Sequence, residues 1–436
     1  MTTARSETEP SPAAPARAWV PSALLVVCLL LVVWGIVLRV RDLGLPDTLM
    51  FDEHHFVKNA RNYLLGNDDW NDHPPLGKLT IAASLYFFGD SAATWRLPEL
   101  IAGLSILLCG AALARRLFPS RLAPWLAMAL LSADGFLIAY SRTGLIDGQL
   151  TALAMWAILL VSLRPRVWRF VVAGLLAGLS ANVKISGVAT LGPIAFALWL
   201  APFSSRRRVA AIGGVVAGFA LGFLVPWIIG LSMTGEPATV WRALEETRRL
   251  TLTHAAATRA EHPLNSSWPT WLVAYKPIVF TWAGSREAVR MVTSLGNPLT
   301  WWSSSIAVVG SMAALAWYGA RYTLTQWREG PGRSGTGFWA THGYGAMVLL
   351  IGWASFLSPW VLTRRDPYFY HYLPCYPMAV ILLAGVWSWI AERRRRVALV
   401  FALLVLDVTA FYTPVWARLP LTQEALETRL FFRSWR

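Results

Sequence analysis

Two carboxylates stand side by side at Asp52 and Glu53, a few residues after an apolar run that ends near Leu38. They open a polar stretch, FDEHHFVKNARNYLLGNDDWNDHPPLGK from Phe51 to Lys78, rich in acids and histidines. An ionisable side chain at membrane depth costs about 2.5–3.5 kcal/mol on insertion scales, so acids parked at such a boundary usually face a wet cavity. Asp72, Asp134 and Asp147 fall at the same predicted helix ends. A carboxylate near Arg or Lys stays ionised and can take a proton from a hydroxyl in a transition state. Arg96, Arg142, Lys184, Arg364 and Arg365 place cations at that end, suited to holding a phosphate and stabilising charge as it leaves. Together these groups describe transfer from a phosphate-linked donor. A solvated loop explains the acidic run on charge alone equally well, and Arg142 with Asp147 also reads as a salt bridge capping helices at the interface.

In Asp72-His73-Pro74-Pro75 two prolines fix their own φ and bias the preceding residue to an extended form, which holds His73 in a stiff turn beside the acids. A lone loop histidine is usually just hydrogen-bonded, and no His, Asp or Cys spacing matches a structural metal site. Cys28, Cys109 and Cys375 lie in or beside apolar runs and read as core. The sequence requires no cofactor, and a divalent metal finds no support in it. Trp268, Trp271, Trp301 and Trp302 read as an interfacial belt.

The elements that must position these groups are membrane helices. With 56% hydrophobic residues, 14% charged and 24 Trp in 436 residues, the composition is that of a polytopic membrane protein. The formal charge of +15 does not point to nucleic acid, because the arginines fall in short clusters between apolar runs. Residues 1–17 read as a disordered cytoplasmic tail. Runs of spanning length follow at roughly 20–38, 95–114, 122–140, 147–163, 170–182, 187–203, 209–231, 301–320, 339–362, 373–391 and 397–415, eleven in all. With the N-terminus inside, sixteen positive charges in five loops, from Arg115 to Arg396, stay cytoplasmic. The acids then lie outside, with loops 41–94 and 232–300 and a C-terminal tail 416–436 of amphipathic character suited to a membrane surface. Gly174 and Gly178 have the spacing of a helix-pairing face.

Read together, several stretches resemble the protein O-mannosyltransferase family: DEHHF at Asp52–Phe56, HPPLGKL at His73–Leu79, WRLPELIAG with Arg96, SRTGLID at Ser141–Asp147, NVKISG at Asn182–Gly187, HPLNSSWPTW at His262–Trp271, LGNPLTWW at Leu295–Trp302 and YHYLP at Tyr370–Pro374. The resemblance covers nearly the whole chain from about residue 20, in order. It implies an all-α integral-membrane GT-C glycosyltransferase and inverting transfer of mannose from a polyprenyl phosphate to Ser or Thr hydroxyls. On that analogy Asp52 is the general base and Glu53 orients the acceptor. Arg96 and Lys184 engage the lipid phosphate, His73 and Lys78 shape the pocket, and Tyr370, His371 and Tyr372 line it near the donor.

The partners implied are the polyprenyl-phosphate sugar, a Ser/Thr-containing polypeptide, the bilayer and, as a candidate, secretion machinery. The implied location is a bacterial plasma (inner) membrane with the site extracytoplasmic. The chain departs from the family at Asn71, where an Asp is common two residues before the histidine, and its 232–300 loop is too short for the large β-rich domain of eukaryotic members. It looks like a compact bacterial form. Two other readings are a GT-C enzyme moving another lipid-linked sugar, such as aminoarabinose, to a lipid or cell-wall glycan, and a transporter. Transporters place charges near the midplane and often carry repeats, whereas these charges crowd at one face.

Overall fold

The computed structural model describes residues 22–67, 72–256, 263–285, 287–329, 338–363 and 367–436. The 1–17 tail, Asn71, His262, Arg364 and Arg365 lie outside the described residues. Every predicted apolar run is helical. The first half holds α1 (Ser22–Val40), α2 (Glu53–Leu65), α3 (Leu76–Phe88), α4 (Ala92–Leu117), α5 (Ala123–Ser132), α6 (Gly135–Ser141), α7 (Asp147–Ser162) and α8 (Val167–Val183). A 3-10 helix (Ile185–Thr190) leads into α9 (Leu191–Leu200), then come α10 (Ser205–Met233), α11 (Val240–Ala256) and the single turn α12 (Trp268–Trp271). After a hairpin of β1 (Val279–Ala283) and β2 (Arg290–Thr293) follow α13 (Pro298–Glu329), α14 (Phe338–Leu362), α15 (Tyr376–Arg393), α16 (Arg395–Trp416) and α17 (Gln423–Arg429).

Among the described residues six helices are long and apolar enough to cross a bilayer: α1, α4, α10, α13, α14 and α16. The pair α5 and α6, bent by 64°, makes a seventh. The helices α7, α8 and α9 are shorter, so length and composition do not establish the expected eleven crossings.

The bundle closes around α15, where every residue from Tyr372 to Gly385 is buried, the mark of a helix packed on all sides. Asp134 ties three elements to it. Its carboxylate caps α6 through the N–H groups of Phe136 and Leu137, and it accepts from Asn297 N at 2.9 Å and Tyr376 Oη at 2.7 Å. Asp134 is thus a buried structural acid.

The glycines of α8 face α10, so the helix-pairing face at Gly174 and Gly178 is used within the chain. A Cβ at Gly174 would strike the Val215 carbonyl and one at Gly178 the Phe219 carbonyl, while Gly218 and Gly222 of α10 meet Val171 and Leu175 in the same way. Small residues let two membrane helices approach backbone to backbone. Gly178→Leu is therefore expected to destabilise the protein by about 1–3 kcal/mol or more through overpacking, read as a lower thermal unfolding midpoint in detergent. Gly213→Leu, which meets nothing within 4 Å, is expected to leave the midpoint in place.

The C-terminal segment is tied back to the rest of the chain at several points. Leu421 pairs with Val289 through two backbone hydrogen bonds, and Arg429 Nε donates to Phe411 O at 2.7 Å. Trp435 is buried and donates from Nε1 to Ala274 O. Leu421 and Trp435 thus join the tail to the 263–300 segment, which itself holds the two-stranded hairpin, while Phe431 and Phe432 stay exposed. Phe280 of β1 stacks on Phe51 at 5.4 Å, bringing the hairpin against the acidic stretch.

Candidate active site

The chain leaves α1 through residues 41–50 and enters α2 at Asp52, which occupies the N-cap position. Just before it, Phe51 holds a φ of 46°, a left-handed conformation that a side-chain-bearing residue adopts only when its surroundings impose it. What imposes it here is Glu53. This fully buried carboxylate accepts from Met50 N at 2.8 Å, Gly144 N at 2.6 Å, Arg96 Nε at 2.8 Å and Arg96 Nη2 at 3.0 Å. The remaining Arg96 N–H groups reach the carbonyls of Leu43, Pro46 and Thr48.

All five guanidinium donors are thereby engaged within the protein. Arg96 is a clamp on the 43–48 turn and on Glu53, and the expectation that it reaches a donor phosphate is corrected. Glu53 is corrected likewise: its oxygens take four hydrogen bonds from the protein, so it fixes the entry to α2 and with it the position of Asp52.

Asp52 remains half-buried at the edge of this clamp. Its neighbours reach the walls of a cavity of about 340 Å³ lined by His73, Lys184, Thr251, His254, Trp360 and Tyr370, among others. Phe51 lies edge-on to Tyr370 at 6.4 Å, and Phe56, one turn on from Asp52, lies 5.8 Å from Lys184 Nζ. Tyr370 sits 5.1 Å from the same ammonium. Lys184, at the end of α8, is held by both oxygens of Asp147 at 2.9 and 2.8 Å. This pair is nearly buried, so it fixes the ammonium at the cavity wall.

His73 stacks between Phe56 at 5.9 Å and His254 at 5.6 Å. Leu76 N, just after its two prolines, donates to Asn182 Oδ1, and Asn182 in turn donates to the Phe223 carbonyl. The rigid turn is thus fastened to the end of α8 beside Lys184. On the opposite wall His371 stacks on Trp360 with ring centroids 3.5 Å apart, and its Nδ1 accepts from Tyr368 N, so in the neutral ring Nε2 carries the proton.

Three further sequence-predicted residues lie elsewhere. Arg142 is buried and donates to Leu38 O, Arg41 O and Asp42 O, where α1 ends and the following turn begins. Burial pushes its pKa down to about 10, and it neither faces the cavity nor pairs with Asp147. Tyr372 is in the core, accepting from Trp353 Nε1 at 3.0 Å, and does not line the cavity. Lys78 is buried 5.7 Å from the Tyr63 ring, behind the His73 turn. Residues that sequence reasoning missed are Thr251 and His254, which share one face of α11, and Trp360. The amphipathic periodicity of α11 is their only signal, for His254 carries no motif. Trp271 and Trp301, expected at an interface, are buried, and Trp301 stacks on Tyr376 at 4.1 Å.

Among the described residues no group of three His, Cys, Asp or Glu is arranged to hold a metal. The site brings the half-buried Asp52 carboxylate, through its neighbours Phe51 and Phe56, near a cavity lined by aromatic rings, imidazoles and the Lys184 ammonium. Such a set can accept a proton at the carboxylate and stabilise an anion at the ammonium.

The chain is similar over residues 29–97 and 72–229 to family models described as dolichyl-phosphate-mannose-protein mannosyltransferase. Residues 240–435 match the C-terminal four-transmembrane region of protein O-mannosyltransferase. The polyprenol-phosphate-mannose–protein mannosyltransferase of Mycolicibacterium smegmatis is 25% identical, over 91% of this chain and 90% of that protein. Its counterpart in Mycobacterium tuberculosis is 25% identical over 96% and 92%. The fold is similar to the Saccharomyces cerevisiae Pmt1-Pmt2 complex bound to the sugar donor, with a TM-score of 0.80 at 13% identity over 96% of this chain and 93% of that one. It is also similar to ArnT from Cupriavidus metallidurans bound to undecaprenyl phosphate, with a TM-score of 0.56 at 13% identity over 93% and 78%. The architecture is that of the GT-C membrane glycosyltransferases, and the chain belongs to the protein O-mannosyltransferase family.

Proposed function

We propose that this protein transfers mannose from polyprenyl-phosphate mannose to Ser or Thr hydroxyls of polypeptides, with inversion at the sugar carbon. Asp52 beside the Lys184 cavity is the observation that carries the chemistry, and the family and its mycobacterial relatives support the sugar and the acceptor. The acceptor oxygen attacks the anomeric carbon, and its proton passes to the Asp52 carboxylate. The bond from that carbon to the phosphate oxygen breaks, and the polyprenyl phosphate leaves as an anion. Lys184 stabilises that anion, His73 and His254 wall the cavity on one side, and Trp360, Tyr370 and His371 wall it on the other. A phosphate is already a competent leaving group, so one base and fixed positive charge suffice, where hydrolysis of an ordinary glycoside needs a paired acid. Positioning and preset electrostatics then carry most of the rate.

The site faces the outside of a bacterial plasma membrane, with the N-terminus in the cytoplasm. The helix ends support this: Arg115 and Arg116 close α4, Arg206 to Arg208 open α10 and Arg393 to Arg396 join α15 to α16, all opposite the ends that carry Arg96, Asp147 and Lys184.

The test is transfer by purified protein from radiolabelled polyprenyl-phosphate mannose to a Ser/Thr-rich peptide, with an Ala-substituted peptide as control. Label on the first peptide alone is expected. Label moving from a lipid-linked aminoarabinose to a lipid acceptor, with none from the mannose donor to peptide, would replace this reading with the other GT-C chemistry.

The Lys184–Asp147 pair gives a second prediction. Removing Lys184 alone strands a buried carboxylate, so the double change Lys184→Met with Asp147→Asn separates function from folding. The double variant is expected to keep its unfolding midpoint within a few degrees while its KM for the donor rises at least tenfold, about 1.4 kcal/mol of lost binding.

A further inference from the structure

Away from the active-site cavity, the surface carries a second depression, a groove of about 560 Å³ between α3, α4, α7 and α8. Its walls include Ala83, Phe87, Ile101, Ala152, Leu153 and Trp156. Along α4 it runs from Leu97 to Ser105, a rise of about 12 Å at 1.5 Å per residue. These are stretches of membrane helices on the site side of the bundle, and Ile101 stays 59% exposed at the mouth. The end of α3 beside it carries three exposed aromatics in a row, Tyr86, Phe87 and Phe88.

The polar side chains in the wall turn inward. Thr80 Oγ1 donates to Gly77 O and meets Gln149 Oε1 at 2.8 Å, Ser84 Oγ donates to Thr94 O, and Ser105 Oγ accepts from Trp156 Nε1. The Gln149 amide nitrogen has no hydrogen-bond partner among the described residues, but it is buried beneath the wall. The groove thus offers an occupant mainly hydrocarbon surface. Water or a polar head group would gain nothing there.

We infer that this groove seats an acyl chain of a phospholipid from the leaflet on the site side of the bilayer. The chain of the polyprenyl donor is not the occupant. The active-site cavity shares no lining residue with the groove, and its own wall reaches Val188 of the 3-10 helix and Thr363 after α14. The acyl chain fills the space under α3, and α3 begins directly after His73, Pro74 and Pro75. The bound lipid therefore supports the helix that anchors the His73 turn.

The experiment places the full-length protein in nanodiscs of phosphatidylglycerol carrying a photoactivatable diazirine on the acyl chain, and maps the labelled peptides. The lipid-facing stretch Val209–Val225 of α10 reports ordinary annular contact. Labelling of 76–88, 97–105 and 149–156 severalfold above α10 is expected. Ala83→Trp, at an exposed position where bulk fills the groove without disturbing the core, is expected to bring that labelling down to the α10 level while the unfolding midpoint is kept. Ile101→Trp, at a position 59% exposed, serves as a second filling variant. Labelling no higher than on α10, or unchanged by both variants, would overturn the inference. So would groove labelling that polyprenyl phosphate competes away, since the occupant would then be the donor chain.

Discussion

Asp52→Asn is expected to lower transfer by about 10²–10⁴-fold, the range that a positioned general base contributes. The change removes the proton acceptor and keeps the size of the side chain. The Glu53–Arg96 clamp that sets the backbone at this position does not involve the Asp52 side chain, so the fold is expected to survive. Donor affinity is expected to change little, because the ammonium at the cavity wall comes from Lys184. Single-turnover transfer, donor binding and thermal unfolding measured on the same preparation separate these effects. A fall in rate that tracks a lost fold or lost donor binding would remove the case for a base.

The second large effect is on stability. Arg96→Ala would leave the Glu53 carboxylate fully buried without its cation, a loss of about 3–5 kcal/mol for breaking one side of a buried pair. It would also strip the carbonyls of Leu43, Pro46 and Thr48 of their donors. The protein is expected to accumulate poorly or to unfold well below the wild type. Arg96→Lys is expected to rescue little, since an ammonium with three donors cannot span five acceptors in a fixed fork. A phosphate-binding Arg96 would behave differently: its Ala variant would raise the KM for the donor and leave the unfolding midpoint in place. Midpoint and KM measured together decide between the two roles.

This contrast shows where the sequence was legible. Apolar runs long enough to span a bilayer announce themselves by composition, and all of them are helices, because backbone groups in lipid must be satisfied within the segment. Asp52 and Lys184 stand out in the sequence because an acid or a cation at a membrane exit needs a reason, and the fold sets Lys184 in the cavity wall. Arg96 and Arg142 carry the same signal for a different cause. Each satisfies carbonyls left over where α1 ends and the following turn begins, and a side chain's residue type does not tell whether a phosphate or a peptide oxygen is its partner. Asp147 illustrates a second limit. Arg142 is its neighbour in sequence, but the fold brings Lys184 to it from the end of α8.

The Gly174–Gly178 spacing has the same form whether the partner helix is in the same chain or in another, and here it is α10. Tyr372 reads like Tyr370 and His371 in the motif, yet a 3-10 turn sends it into the core. The α11 residues were hidden because an amphipathic helix in a loop gives no clue to which of its polar side chains meets a cavity. Helix existence follows from local pattern; the partners of buried charges follow from tertiary contacts that only the folded chain supplies.

The central claim is that the Asp52 carboxylate takes the proton from the acceptor hydroxyl. Its most direct test is single-turnover transfer from polyprenyl-phosphate mannose to a Ser/Thr peptide by Asp52→Ala, with and without added formate. A small carboxylate can occupy the space left by the side chain and act as the base in its place. Transfer is expected to vanish in the variant and to return in part with formate, giving the same inverted linkage as the wild type. Transfer by Asp52→Ala near the wild-type rate without formate would contradict the account and move the search for the base to another residue.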